Sequence, residues 1–169
     1  MENKKSEFKI LFVCTGNTCR SPMAEGILKK LLAEGGMKDI QVSSAGISAL
    51  DGYPAALFAI EATKVWEINL EEHYSRKLTP EMLKESDLIL VMSKEHLKHI
   101  EKVNRKSLEK SYLLKAFPFR NEDDNLAIKD PIGCSLEEYN QCFFELDEEI
   151  KRILPEIISL YEKKNEKEE

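Results

Sequence analysis

Long apolar runs are missing from this 169-residue chain. None approaches the roughly 20 residues that a membrane-spanning helix needs. Met1 to Glu7 has no apolar core of the kind a secretory leader carries, so a cytoplasmic protein with no membrane partner is expected. A surplus of positive charge is missing as well. The formal net charge is -6, which argues against a nucleic-acid-binding surface. There are only three histidines, His73, His96 and His99. They show no metal-ligand spacing and read as solvated helix positions, so neither metal nor cofactor is expected. The four cysteines, Cys14, Cys19, Cys134 and Cys142, read as reduced thiols in a chain of this size without an export signal. Internal repeats and a second domain are absent, leaving residues 1–169 as one domain whose ends, 1–7 and 162–169, are expected to fray.

Four short apolar stretches read as strands: Phe8 to Val13, Ile40 to Ser43, Asp87 to Met92 and Tyr112 to Leu114. Helical patterns separate them. Ser21 at an N-cap position and Pro22 at the first helical position open one, Ile27, Leu28, Leu31 and Leu32 give it a stripe, and Gly35-Gly36 stops it. Pro54 to about Trp66 is apolar on most of its surface and reads as a well-buried helix. Thr79-Pro80-Glu81 starts a short one, and Ser93 caps another that carries Leu97, Ile100 and Val103. After a polar loop from Asn121 to Asp130, the capping box Ser135 to Glu138 opens a long helix with Phe143, Leu146, Ile150, Ile153, Leu154 and Ile157 on one side. Pro155 is expected to kink or divide it. Trp66 and Phe117 are assigned to the core, and Cys134 and Cys142 to structural roles.

Strands alternating with helices give an α/β fold: three layers, with a four-stranded parallel sheet covered by helices on both faces. Ligands of such sheets bind beyond the carboxyl ends of the strands. The stretch Cys14-Thr15-Gly16-Asn17-Thr18-Cys19-Arg20, followed by Ser21-Pro22, stands there, directly after the first strand. Backbone N–H groups turned inward by a tight loop, together with a helix N-terminus, make an anion site, and phosphate is its natural occupant. A cysteine at its floor suggests that the phosphate is attacked. The helix terminus, the amides and Arg20 all favour the charged form of a thiol placed here. Arg20 can hold two phosphoryl oxygens through its planar fork. Gly16 relieves crowding where the chain turns, Asn17 ties the loop through its side chain, and the Ser21 hydroxyl can donate to the sulfur. Cys19, five residues from Cys14, reads as a resolving thiol that forms a reversible disulfide with Cys14 on oxidation.

Val13 to Pro22, with Ser44-Ala45-Gly46, Leu78-Thr79-Pro80 followed by Asp87 to Met92, and Asp130-Pro131, resembles the low-molecular-weight protein tyrosine phosphatases. The likeness runs in order through nearly the whole chain. It implies a metal-free active site on a four-stranded parallel sheet and a two-step reaction on phosphorylated proteins. Cys14 would attack phosphorus, Arg20 and the loop residues Thr15 to Cys19 with Ser21 would hold the phosphoryl group, and Asp130 would supply and then recover a proton. Thr18 stands where tyrosine phosphatases of the family usually carry a bulky aliphatic residue. The branch that hydrolyses phosphoarginine is similar to this chain there and in Leu50-Asp51-Gly52. Ile132-Gly133 after Asp130-Pro131 departs from both branches. Phosphoarginine in proteins is therefore the expected substrate, phosphotyrosine the alternative, and a monomer the expected state. An arsenate reductase would need relay cysteines elsewhere than Cys134 and Cys142. A cysteine phosphoryl carrier or a pure phosphate-binding module would need neither Arg20 nor Asp130.

Overall fold

β1 (Phe8–Cys14) runs through the middle of the sheet because its side chains are apolar on both faces. In this computed structural model, which describes residues 6–168, it is flanked by β2 (Ile40–Gly46) and β3 (Leu88–Val91), with β4 (Ser111–Leu113) at the far edge. The order is β2-β1-β3-β4 and every neighbouring pair is parallel, as the alternating pattern predicts.

Strand side chains alternate between faces, and the two faces of β1 enter different cores. Phe8, Ile10, Phe12 and Cys14 pack with Met23, Ile27 and Leu28 of α1 (Arg20–Glu34) and Phe143, Leu146, Ile150, Ile153 and Ile157 of α5 (Leu136–Glu168). Leu11 and Val13 pack on the other face with Leu83 of α3 (Pro80–Glu85) and Leu97 and Ile100 of α4 (Lys94–Val103). Each fully buried Leu, Ile or Phe contributes about 1.5–3 kcal/mol relative to exposure, so this sheet is held from both sides. The register pairs Cys14 with Gly46, which brings the ends of β1 and β2 together at one rim.

Several local expectations change. α1 begins at Arg20 with Cys19 at the N-cap, and Ser21 lies inside the first turn, where its hydroxyl faces the loop instead of capping. The segment assigned to a well-buried helix over 54–66 contains only α2 (Leu57–Lys64), of which Ala59, Ala62 and Thr63 are buried. Leu57 is 78% exposed and Trp66 45% exposed, because α2 lies on the surface of α5 and not beneath it. Trp66 stacks on Phe143 at 5.9 Å, whereas Phe117 is in the core as expected. α5 runs unbroken through Pro155, since Ile153 and Ile157 on either side are anchored in the core. The helix also continues to Glu168 where fraying was expected. Lys164 holds Asp87 and the Glu7 carbonyl, and Asn165 accepts the Ser6 N–H at 2.9 Å. The expectations for residues 1–5 and 169 lie outside the described residues. Among these, no helix is long and apolar enough to cross a membrane.

Candidate active site

The loop from Cys14 to Arg20 leaves the carboxyl end of β1 and turns at Asn17, the residue with a left-handed backbone (φ 57°). Asparagine tolerates that conformation because its short polar side chain bonds locally. The buried Asn17 side chain is tied on all sides. Its Oδ1 accepts the Arg76 backbone N–H at 2.9 Å, which fixes the amide orientation. Its Nδ2 then donates to Ser21 Oγ at 2.8 Å and to Ser44 Oγ at 2.9 Å. The turn expected of Gly16 therefore resides in Asn17. A Cβ at Gly16 would meet only Thr18 Oγ1, at 3.8 Å. The glycine that the loop does require is Gly46, where a Cβ would stand 2.5 Å from the Thr15 carbonyl oxygen and 2.9 Å from the Asn17 nitrogen.

Donors converge on the buried sulfur of Cys14. Ser21 Oγ lies 2.8 Å from it and the Asn17 N–H points at it from 3.3 Å. Because Ser21 Oγ already accepts from Asn17, its own proton is free for the sulfur. Cys19 is buried with its thiol against Tyr139 Oη at 3.2 Å and Thr18 Oγ1 at 3.6 Å. Burial pushes the Cys19 thiol up, and the Tyr139 and Thr18 bonds offset this only in part.

Arg20, 5% exposed, spans the site. Nη1 donates to the Ile128 carbonyl at 2.9 Å, and Nη2 reaches Thr15 Oγ1 and Asp130 Oδ2, each at 3.3 Å. Its buried Nε has no partner among the described residues. Asp130 is half-buried, and its other oxygen accepts the Ile132 N–H at 3.1 Å. Ile132 itself is 61% exposed. Thus Arg20 links Thr15, next to Cys14, to Asp130 at one rim, with Thr15 exposed and Gly16 and Thr18 half-buried beside them.

Two of the three histidines, read as solvated, bond to the loop instead. His73 is half-buried and its Nε2 donates to the Asn17 carbonyl at 2.7 Å. His96 is buried, with Nε2 3.0 Å from Thr15 Oγ1. Neither was legible, because their loop partners lie 56 and 81 positions away. For His96 alone a local signal existed, its place three residues after the helix cap Ser93.

A nucleophilic residue, an arginine and a carboxylate around an anion-shaped loop fit phosphoryl transfer. Residues 9–166 match the family described as low molecular weight phosphotyrosine protein phosphatase. The chain belongs to that family. It is 36% identical over 148 residues to the protein-arginine-phosphatase of Bacillus subtilis, covering 88% of this chain and 95% of that one. It is 38% identical over 140 residues to the low molecular weight protein-tyrosine-phosphatase Ptp of Acinetobacter johnsonii, covering 82% and 87%. Among solved structures, it superposes with a TM-score of 0.81 and 34% identity on a mutant of the YwlE arginine phosphatase that carries a phosphorylated active-site serine, covering 89% of this chain and 95% of that chain. The phosphatase is thus similar to arginine- and tyrosine-directed relatives alike. Cys134 and Cys142 stand outside its loop, and burial pushes the Cys142 thiol up to about 12.

Proposed function

We propose that this phosphatase hydrolyses phosphoarginine in proteins through a cysteinyl-phosphate on Cys14. Cys14 sulfur attacks phosphorus, the P–N bond breaks, and Asp130 gives its proton to the leaving guanidine nitrogen. Water then attacks phosphorus, Asp130 takes the water's proton, and the S–P bond breaks to return phosphate and the Cys14 thiolate. Arg20 and the loop amides hold the phosphoryl oxygens throughout. The observation that carries this reading is the Arg20 bridge. One guanidinium reaches both the loop beside Cys14 and, at 3.3 Å, the Asp130 carboxylate, with an unpaired Nε buried between. A phosphoryl oxygen would satisfy that donor.

Two features favour arginine as the leaving group. Thr18 presents a hydroxyl whose contact with Cys19 sulfur, among the described residues, is long at 3.6 Å, leaving it able to meet a guanidinium. Asp130 is able to pair with that guanidinium as well as protonate it. Exposed Ile132, which departs from both branches, supplies no aromatic wall and favours neither substrate. The tyrosine reading is kept in view by the 38% identity to a tyrosine-directed relative. Turnover of phosphoarginine and phosphotyrosine peptides, measured side by side, decides between them. The full chain is expected to prefer phosphoarginine, and Thr18→Ile to shift the preference toward phosphotyrosine. Equal or better phosphotyrosine turnover by the unchanged chain would overturn the assignment. If Cys19 resolves an oxidised Cys14, peroxide will link the two thiols in place of driving Cys14 to a sulfonic acid.

A further inference from the structure

His96 has no part in the two steps above, yet it is buried at the end of the sheet with both ring nitrogens bonded. Its proton is placed by its neighbours. The Ser93 backbone N–H, which can only donate, is 3.1 Å from Nδ1, so Nδ1 is the acceptor. The neutral ring must then carry its proton on Nε2, which faces Thr15 Oγ1 at 3.0 Å and donates to it. Arg20 Nη2 also donates to Thr15 Oγ1, at 3.3 Å. A hydroxyl has two lone pairs and one proton. Both lone pairs of Thr15 are therefore filled, and its proton has to leave toward a third partner. Thr15 follows Cys14 directly and is exposed on the site side of the loop.

We propose that Thr15 is a further substrate-contacting residue whose hydroxyl donates to a phosphoryl oxygen, and that His96 is the positioning residue that imposes this direction. The proposal rests on the reading of the Cys14 loop as a phosphoryl-transfer site. In water a threonine hydroxyl donates and accepts interchangeably. Here His96 and Arg20 leave it only the donor role, so no reorientation is needed when phosphate enters. Burial on α4 keeps the imidazole neutral, which preserves the single tautomer that the arrangement requires.

The test uses the full chain, an aryl phosphate as substrate and inorganic phosphate as competitive inhibitor. Thr15→Val removes the hydroxyl and Thr15→Ser keeps it. His96→Asn retains an acceptor near the Ser93 N–H but is too short to reach Thr15. Thr15→Val is expected to lower kcat/KM and weaken phosphate inhibition by about tenfold, the loss typical of one hydrogen bond to a charged group. Thr15→Ser, which restores the hydroxyl, should recover most of what Thr15→Val loses in both readouts. His96→Asn should move in the same direction as Thr15→Val, and the double variant should be no worse than Thr15→Val alone, because both changes break one path. Nitrogen-15 spectra of the unchanged chain should show His96 as the Nε2–H tautomer, a readout that does not depend on any variant folding. The Nδ1–H tautomer, unaltered kinetics in Thr15→Val, or multiplicative effects in the double variant would each overturn the proposal. So would a Thr15→Val variant with unchanged phosphate inhibition and a displaced pH profile of kcat, which would assign the hydroxyl to Asp130. A full chain that turns over no aryl phosphate would remove the phosphatase reading and this proposal together. An active full chain with an indifferent Thr15 removes the proposal alone.

Discussion

His96 joins the stability of the protein to the order of its loop. Burial, with the Arg20 charge nearby, pulls its pKa down to about 4 against the partial opposition of Glu95. In the unfolded chain the ring takes its proton near pH ~6.5. Between those values the unfolded state binds a proton that the folded state refuses, so stability rises with pH across the window. The stabilisation is complete above about pH 6.5 and is lost as pH falls toward about 4, by at most about 3 kcal/mol if His96 acts alone. Urea midpoints followed over that range should therefore converge for the unchanged chain and His96→Asn as the pH drops; parallel curves would contradict the assignment. The place of His96 three residues after the cap Ser93 marks a bonded ring, but its depth depends on Thr15 on another element.

At the scale of elements, strands were more legible than helices. Phe8 to Val13 and Asp87 to Met92 read as buried strands because both of their faces are apolar, and the sheet uses both. The α1 stop also held: Gly35 ends the helix and Gly36 takes a left-handed backbone (φ 69°). α2 misled because its apolar residues include Leu57 and Phe58, which turn outward toward solvent and α5 and not into a core. In α5, local propensity and packing conflict. Pro155 removes a backbone donor from the interior of a continuous helix, at an exposed position. Core contacts at Ile150, Ile153 and Ile157 override that local cost. Pro155→Ala should therefore raise stability by about 1–3 kcal/mol, read as a higher urea midpoint with unchanged activity. A loss of stability would mean that the proline shapes the helix in a way the packing needs.

At the scale of the whole molecule, the sheet converts sequence distance into proximity. Arg20 and Asp130 are 110 positions apart and meet at 3.3 Å because β1 and the segment before α5 end at the same rim. The Cys14 loop was legible since its chemistry is contiguous. Asp130 was legible through family likeness, as an aspartate before a proline is otherwise a common turn. His73 and Arg76, which brace Asn17 from another segment, were not, because each looks ordinary in its own neighbourhood, and Ser44 stood out only as part of the family likeness. The central claim is that phosphate passes through the sulfur of Cys14. An aryl phosphate with a good leaving group loads the nucleophile without help from an acid, while Asp130→Asn removes the base that would hydrolyse the intermediate. Quenching of that variant during turnover, followed by peptide mass spectrometry, should find one phosphoryl group on the peptide containing Cys14, and none after Cys14→Ala is added. Turnover by the unchanged chain with no phosphoryl group on Cys14 in the Asp130→Asn variant, or with the group on another residue, would contradict the account.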